Sequence, residues 1–182
     1  MTTNKDKLIE RLQSENMELR RLVNRLEREN KIDHLTGLYN RKYLDTKLIL
    51  KLEILSKDKF PFAIIAIDLN NLKKINDTHG HHSGDKFIKK FVHILKYHTR
   101  PNDTIIRMGG DEFIILITET EDISKIINNI INRLKDQSEI ENISFSSGFA
   151  ISDENEHSFD LTLKKADKNM YKEKKLYHKN QD

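Results

Sequence analysis

The fold of this chain is decided by the stretch Arg107-Met108-Gly109-Gly110-Asp111-Glu112-Phe113, which joins two β-type runs at 104–108 and 111–118. The Gly-Gly pair predicts a tight hairpin turn, because glycine adopts the positive φ angles that such turns require. Two carboxylates leave the turn together. Neighbouring strand residues point to opposite faces, so we expect at most one of them to point into a given site. Carboxylate oxygens suit Mg²⁺, whereas a solvated acidic tip is the simpler interpretation of this stretch alone.

The composition limits the class of protein. The 182 residues are enough for one domain with its own core and an appendage. A net charge of +3, from 32 basic and 29 acidic residues, is too balanced to predict a basic face that binds nucleic acid. The absence of cysteine excludes disulfides and thiolate metal sites. Without an apolar run of membrane-spanning length or a signal-peptide core, we expect a cytoplasmic protein with no membrane partner.

Residues 1–32 carry a heptad pattern. Within 4–31 there is no Gly or Pro, and leucines recur every seven residues at Leu12, Leu19 and Leu26. If these leucines occupy the d position, Asn16 falls at a, where it fixes the register and strand number of a parallel dimer. Glu15 at g then faces Arg20 at e of the partner helix. The pattern predicts an N-terminal coiled-coil stalk that forms a homodimer; the alternative is a single surface helix with an ordinary apolar stripe.

The rest of the chain interleaves predicted helices and strands. Segment 33–41 has turn residues and predicts a joint. Helices are predicted over 41–56, 84–98, 123–134 and 160–177, and strands over 60–68 and 142–150 besides the hairpin. The apolar run ending at Asp68 is typical of a strand buried on both faces, and the helical turn after it offers N–H groups to a phosphate. This order predicts an α+β fold with a mixed sheet, of the ferredoxin-like or polymerase-palm-like type.

Several ordered motifs resemble the GGDEF family of diguanylate cyclases. They are Asp33-x-Leu35-Thr36-Gly37-Leu38-x-Asn40-Arg41, Asp68 followed by Lys73, Asn76-Asp77, Gly80-His81 and Gly84-Asp85, the hairpin motif itself, Ser146-x-Gly148, and Ala166-Asp167 with Tyr171 and Lys174. Their order and spacing are far more specific than the hairpin alone. The resemblance implies a GGDEF domain over 33–179 with a tail at 180–182. It also implies an enzyme that joins two GTP into cyclic di-GMP, releasing two pyrophosphates, as a homodimer of facing half-sites.

The resemblance also implies roles for the acids and lysines. Two Mg²⁺ or Mn²⁺ ions per half-site would be held by Asp68, Asp111 and the Leu69 carbonyl, with Glu112 as support. Asp111 would also be the general base, and Lys73 would stabilise charge on the phosphates. Lys174 would reach the terminal phosphate.

Guanine recognition is implied for Asn76 and Asp85. A carboxylate can accept hydrogen bonds from both donors on the guanine edge, which adenine does not offer, so Asp85 favours GTP over ATP. Taken alone, Asp85 is equally typical of a helix N-cap and Asn76 of a turn. His81, Gly109 and Gly110 complete the implied substrate-binding set.

Arg100-x-x-Asp103 matches an inhibitory product site of the family, although alone it would indicate a surface ion pair. The chain also departs from the family pattern. Asn70 stands where a second Asp is frequent, and Leu72 where Phe is usual. Tyr177-His178 replaces a Gly-Arg pair, and whether His178 or Lys179 supplies the phosphate contact stays open.

Two alternatives to a cyclase follow from the same residues. One is a catalytically weak GGDEF domain that binds GTP or cyclic di-GMP and signals through the coiled coil. The other is a plain dimerisation module. Because Asp111 and Glu112 are both present, the enzyme is the preferred hypothesis.

Overall fold

The structure is a computed structural model that describes residues 4–29, 31–50, 52, 61–118, 122–152 and 158–179. The chain divides into two compact units, Met1–Ile32 and Asp33–Asp182. The predicted tail at 180–182, the last residues of the helix predicted to end at 56, and the first residue of the strand predicted from 60 lie outside the described residues.

The described residues of the first unit form one helix, α1 (Asn4–Glu29). Leucines of the heptad pattern are exposed, Leu12 by 54% and Leu19 by 60%. Within this helix Glu15 accepts from Arg11 at 2.9 Å, and the Arg20 Nε donates to the Asn16 Oδ1 at 3.1 Å. The helix itself is therefore as predicted, while its pairing with a second copy stays a prediction.

The second unit is built on a five-stranded sheet. Its strands are β1 (Tyr39–Asn40), β2 (Ala63–Leu69), β3 (Thr104–Gly109), β4 (Glu112–Ile117) and β5 (Phe145–Ile151), in the order β1-β3-β4-β2-β5. The β1–β3 pair is parallel, and the other three pairs are antiparallel. The last four strands have the split βαβ order of a ferredoxin-like sheet, which confirms the predicted mixed α+β fold.

Among the described residues, five helical segments accompany the sheet. They are α2, α-helical over Arg41–Tyr43 and π-helical over Leu44–Leu48, α3 (Leu72–His79), α4 (His81–His98), α5 (Ile123–Ile140) and α6 (Phe159–Lys179). Two helix boundaries differ from prediction by three residues or more: α4 begins three residues early, directly after Gly80, and α5 continues beyond 134 to Ile140. The strands predicted over 60–68 and 142–150 each begin three residues late, at Ala63 and Phe145. The predicted joint at 33–41 also contains β1, because two of its residues pair with β3 at the sheet edge.

The sheet carries an apolar core on each face. All seven residues of β2 are buried, as its continuous apolar run predicted. Alternate residues serve opposite faces: Ile65 and Ile67 join the core beneath α4 and α5, whereas Ile64 packs in the core beneath α2 and α6. Burial of each large aliphatic side chain contributes about 1.5–3 kcal/mol, so β2 is a rigid base for the acid near its end, Asp68.

Candidate active site

The acid at the end of β2 and the glycine turn lie side by side. Asp68 and Glu112 are directly opposite each other in the β2–β4 pair. One residue further, the Leu69 N–H donates to the Asp111 carbonyl at 3.0 Å. Asp68 and the two acids of the turn, which are distant in sequence, therefore share one end of the sheet.

The turn itself is held by an arginine. Gly110 has a φ of +49°, which favours glycine. The Arg107 Nε and Nη2 donate to the Gly110 carbonyl at 3.1 and 2.8 Å, and its Nη1 donates to Asp33 at 2.9 Å. Sequence reasoning included Arg107 and Asp33 in the motifs but missed their pairing. The opposite charges were the available signal, but nothing local in the sequence indicated that they meet.

The surroundings of Asp33 favour its charged form, which pairs with Arg107. Burial raises its pKa, but hydrogen bonds from Thr36 and the nearby Arg107 outweigh that cost and hold the pKa below its usual value. The Asp33 Oδ1 accepts from the Thr36 N–H at 2.9 Å and from its hydroxyl at 2.6 Å. The motif at 33–36 is thus a fixed anchor for the hairpin.

A groove of about 470 Å³ opens beside the turn. We call it the lysine groove; its lining residues are Leu69, Asn70, Asn71, Leu72, Lys73, Lys74, Asp77, Thr78, Asp111, Lys174 and His178. It brings together the start of α3, the turn and the last part of α6. His178 lines it, whereas Lys179 does not. Three lysines around two acids offer a polyphosphate several cationic contacts.

The other acid of the turn faces a different space. Glu112 lines a cavity of about 290 Å³ together with Asp167 and Tyr171. Asp111 and Glu112 thus diverge, in line with the expectation that only one of them points into a given site.

Asp68 is buried against Lys174. The Lys174 Nζ donates to both oxygens of Asp68, at 2.7 and 2.8 Å, and the two side chains are 6% and 30% exposed for Asp68 and Lys174, respectively. Burial raises the pKa of Asp68 and the charge of Asp111 raises it further, so Lys174 and His178 offset the shift without reversing it. The positive charges near Asp68 are therefore too few to offset the cost of burying its charged form.

Glu112 and Asp167 have the same tendency. Burial raises the pKa of both, and for Glu112 the neighbouring charges of Asp111 and Asp68 add to the shift. Among the described residues no three His, Cys, Asp or Glu side chains form a metal-binding group. Mg²⁺ commonly binds one or two carboxylates and completes its shell with water and substrate phosphates. Asp68, whose burial raises its pKa, and Asp111, which lines the lysine groove, fit such an ion.

The residues implied for guanine recognition lie where α3 meets α4. A Cβ on Gly84 would overlap the Asn76 Oδ1 and lie 2.9 Å from its Cγ, so the amide of Asn76 sits beside the residue before Asp85. Both side chains are half-buried. The two alternative roles are wrong, since Asn76 lies inside α3 and the N-cap of α4 is Gly80. His81 is exposed at the start of α4.

Asn70 has a structural environment. Its side chain is buried, donates to the Ser144 hydroxyl at 2.9 Å and accepts from the Ser146 hydroxyl at 3.0 Å. These bonds tie the end of β2 to β5. Asparagine at this position, where the family often has aspartate, therefore provides both a donor and an acceptor for the serines of the neighbouring chain segment.

Arg100 and Asp103 pair with each other. The Arg100 Nη2 donates to the Asp103 Oδ1 at 2.6 Å, the Arg100 backbone N–H donates to Oδ2 at 2.8 Å, and the Asp103 side chain is fully buried. The Arg100 side chain remains 34% exposed. Of this pair, Arg100 is the member that reaches the surface.

Comparison with known proteins identifies the family. The family model "Diguanylate cyclase, GGDEF domain" matches residues 30–180. The chain belongs to the GGDEF family. Relatives include "Probable diguanylate cyclase DgcJ" of Escherichia coli, 40% identical over 83% of this chain and 31% of that protein, and the "Bifunctional diguanylate cyclase/cyclic di-GMP phosphodiesterase MucR" of Pseudomonas aeruginosa, 34% identical over 65% of this chain and 18% of that protein. The chain thus spans less than a third of the length of either relative.

A solved structure agrees with the fold. The coiled coil and GGDEF domain of DgcB from Caulobacter crescentus, in complex with c-di-GMP, superposes with a TM-score of 0.81 at 22% identity, covering 95% of each chain. No helix among the described residues of this GGDEF protein is both long and apolar enough to span a bilayer.

Proposed function

We propose that this GGDEF protein is a diguanylate cyclase that condenses two GTP into cyclic di-GMP and releases two pyrophosphates. The observation that carries the proposal is the convergence of Asp68 and Asp111 at one end of the sheet, beside the lysine groove. A purely structural hairpin tip would not need a buried acid with a raised pKa beside a second acid and several lysines. The substrate places the reaction in the cytoplasm.

The lysine groove holds the triphosphate in this proposal. Lys73, in the first turn of α3, and Lys174, on α6, approach it from different elements. Lys174 is already fixed on Asp68 at 2.7 Å, so its ammonium group is placed before the substrate arrives. His178 lines the groove where the family has arginine, and we assign the additional phosphate contact to it rather than to Lys179.

The metal site consists of Asp68, Asp111 and the Leu69 carbonyl, with Glu112 in support, and would hold two Mg²⁺ or Mn²⁺ ions. Such ions supply activation of the attacking hydroxyl and neutralise phosphate charge. Asp111 takes the proton from the 3′-hydroxyl of one GTP, whose oxygen forms a bond to the α-phosphorus of the other. The bond to pyrophosphate breaks with that step, and the same exchange repeated closes the ring.

Selection of guanine falls to Asn76 and Asp85, with His81, Gly109 and Gly110 as further substrate contacts. The half-buried Asp85 would be left with unmatched acceptors against adenine, at a cost of about 1–3 kcal/mol. This favours GTP over ATP by roughly five- to 150-fold.

Two copies must meet, since each site holds one GTP. The exposed leucines of α1, together with Asn16 at an a position, support a parallel homodimer through the stalk. Tethering would raise the local concentration of the second half-site to the millimolar range. In this proposal the product cyclic di-GMP also acts as an inhibitor, bound by the exposed Arg100 while Asp103 holds the arginine in place.

Product analysis tests the proposal. The purified chain is incubated with GTP, ATP or their mixture and Mg²⁺, over a range of protein concentrations, and products are separated by chromatography. We expect cyclic di-GMP from GTP and loss of turnover in Asp111→Asn at nearly unchanged thermal stability. Calorimetry with cyclic di-GMP runs in parallel, because binding without turnover at every protein concentration would identify a receptor instead.

A further inference from the structure

Helix α6 is fastened to the open edge of the sheet. β5 is the last strand in the order β1-β3-β4-β2-β5, so within the part of the chain that the structure describes one of its edges has no partner strand. Side chains of α6 take the place of that partner. The Glu173 Oε2 accepts from the Ser147 N–H at 2.5 Å and from its hydroxyl at 3.1 Å, and the Asn169 Nδ2 donates to the Phe149 carbonyl at 3.0 Å.

The spacing of these contacts fixes the register of the helix. Asn169 and Glu173 are four residues apart, about 6 Å along a helix. Phe149 and Ser147 are two residues apart, about 6.6 Å along a strand. The two contacting residues of α6 therefore have nearly the same spacing as the two contacting residues of β5. A shift of one residue would rotate every α6 side chain by about 100° and would break both contacts.

The helix also lies very close to the strand. A Cβ on Gly148 would come within 2.6 Å of the Asn169 backbone carbon, so the strand has glycine where the helix passes. A third contact comes from α5, whose Lys135 Nζ donates to the Glu173 Oε1 at 2.6 Å. Glu173 thus links the edge strand and a second helix, and it is the residue directly before Lys174.

The geometry points to Glu173 as the positioning residue that aims Lys174 at Asp68, and hence at the terminal phosphate. The carboxylate uses its two oxygens on two different elements, which fixes the rotation of α6 one residue before the lysine. This inference rests on the proposed function for the role of Lys174 with GTP, but the aim of Lys174 is measurable without substrate.

The first measurement is the accessibility of the Lys174 amine. The full chain is treated with a limiting amine-labelling reagent without nucleotide, and mass spectrometry compares Lys174 with Lys165, an exposed lysine of α6. Glu173→Ala is expected to raise Lys174 labelling about tenfold, as a charged hydrogen bond is lost. Glu173→Gln, which still accepts from the Ser147 N–H, is expected to give a smaller rise and provides the result if Glu173→Ala does not fold.

A control variant separates a loss of Lys174 positioning from a general loss of protein stability. Ile130→Val removes a methylene from a buried position of α5 and lowers stability without touching α6. If Ile130→Val and the Glu173 variants label Lys174 equally, or if no variant differs from wild type, Glu173 has no positioning role.

The second measurement is steady-state kinetics with GTP. A positioning role predicts a rise in KM on the order of tenfold in Glu173→Ala, with a smaller fall in kcat, while Ile130→Val keeps the wild-type KM. An unchanged KM would overturn the inference. If the wild-type chain has no cyclase activity, the proposed function fails, and the labelling result still decides the role of Glu173.

Discussion

Replacing Asp68 with asparagine should stabilise the protein while it abolishes turnover. The Asp68 side chain is 6% exposed, and burial and Asp111 raise its pKa despite Lys174. The charged form is therefore disfavoured in the folded state, and Asp68→Asn removes that cost. Asparagine keeps one oxygen for Lys174, so part of the contact remains. We expect a gain of about 1 kcal/mol, or about 2–4 °C in Tm for a chain of this length.

The sign of the effect also sets its pH dependence. A carboxyl with a raised folded-state pKa costs stability above that pKa and nothing below the ordinary value of 3.8. The stability difference between Asp68→Asn and wild type should therefore be largest near neutral pH and vanish as the pH falls below 3.8. Thermal unfolding in EDTA across this range measures it, with Asp45→Asn, an exposed acid of α2, as the control.

Ligand should reverse the order of stability. Mg²⁺ with a non-reactive GTP analogue, at ten times the apparent Kd, should stabilise wild type by about 1.4 kcal/mol and Asp68→Asn by far less. If Asp68→Asn unfolds below wild type in EDTA, the carboxylate is net stabilising and the electrostatic reasoning is wrong. An equal ligand-induced shift in both proteins would remove Asp68 from the metal site.

Three further predictions test other parts of the site. Arg107→Met should lower the free energy of unfolding by about 2 kcal/mol, less than for a fully buried pair because Asp33 is partly exposed, and should lower kcat; unchanged thermal unfolding would contradict its anchoring role. His178→Arg should lower the KM for GTP about threefold, because arginine carries a permanent charge and a two-pronged donor, whereas Lys179→Arg should leave KM unchanged; equal KM values would assign the contact elsewhere. Arg100→Ala should relieve inhibition in initial-rate assays with added cyclic di-GMP, and identical inhibition curves would place the product site elsewhere.

Elements with strong local signals could be predicted from the sequence. The unbroken, short apolar run of β2 is typical of a strand buried on both faces of a sheet, and the Gly-Gly pair between two β-type runs favours a hairpin. The end of α5 was predicted too early, because its last turn is largely polar and shows no apolar period. β1 has two residues and no period at all, so its pairing with β3 is set by tertiary contacts.

The acids of the site could be predicted because their motif spacing is distinctive, but their supports could not. Arg107 meets Asp33, and Glu173 meets Ser147, across long separations in sequence. Arg107 and Glu173 both look like ordinary surface charges until the order of the strands is known. Asn70 shows the same limit, since its bonds to Ser144 and Ser146 depend on β5 lying next to β2.

The acids on the two sides of the glycine turn have opposite electrostatics. Asp33 meets its cation within the chain, so its pKa is lowered and the anchor is complete without ligand. Asp68 and Glu112 keep raised pKa values even with Lys174 nearby, so their demand for positive charge is left for something that the chain does not supply. The Asp33–Arg107 anchor holds the turn rigid, while Asp68 and Glu112 beside it keep raised pKa values. This arrangement is expected where a cation arrives with its substrate. The binding energy then goes into neutralising charge and not into folding the turn.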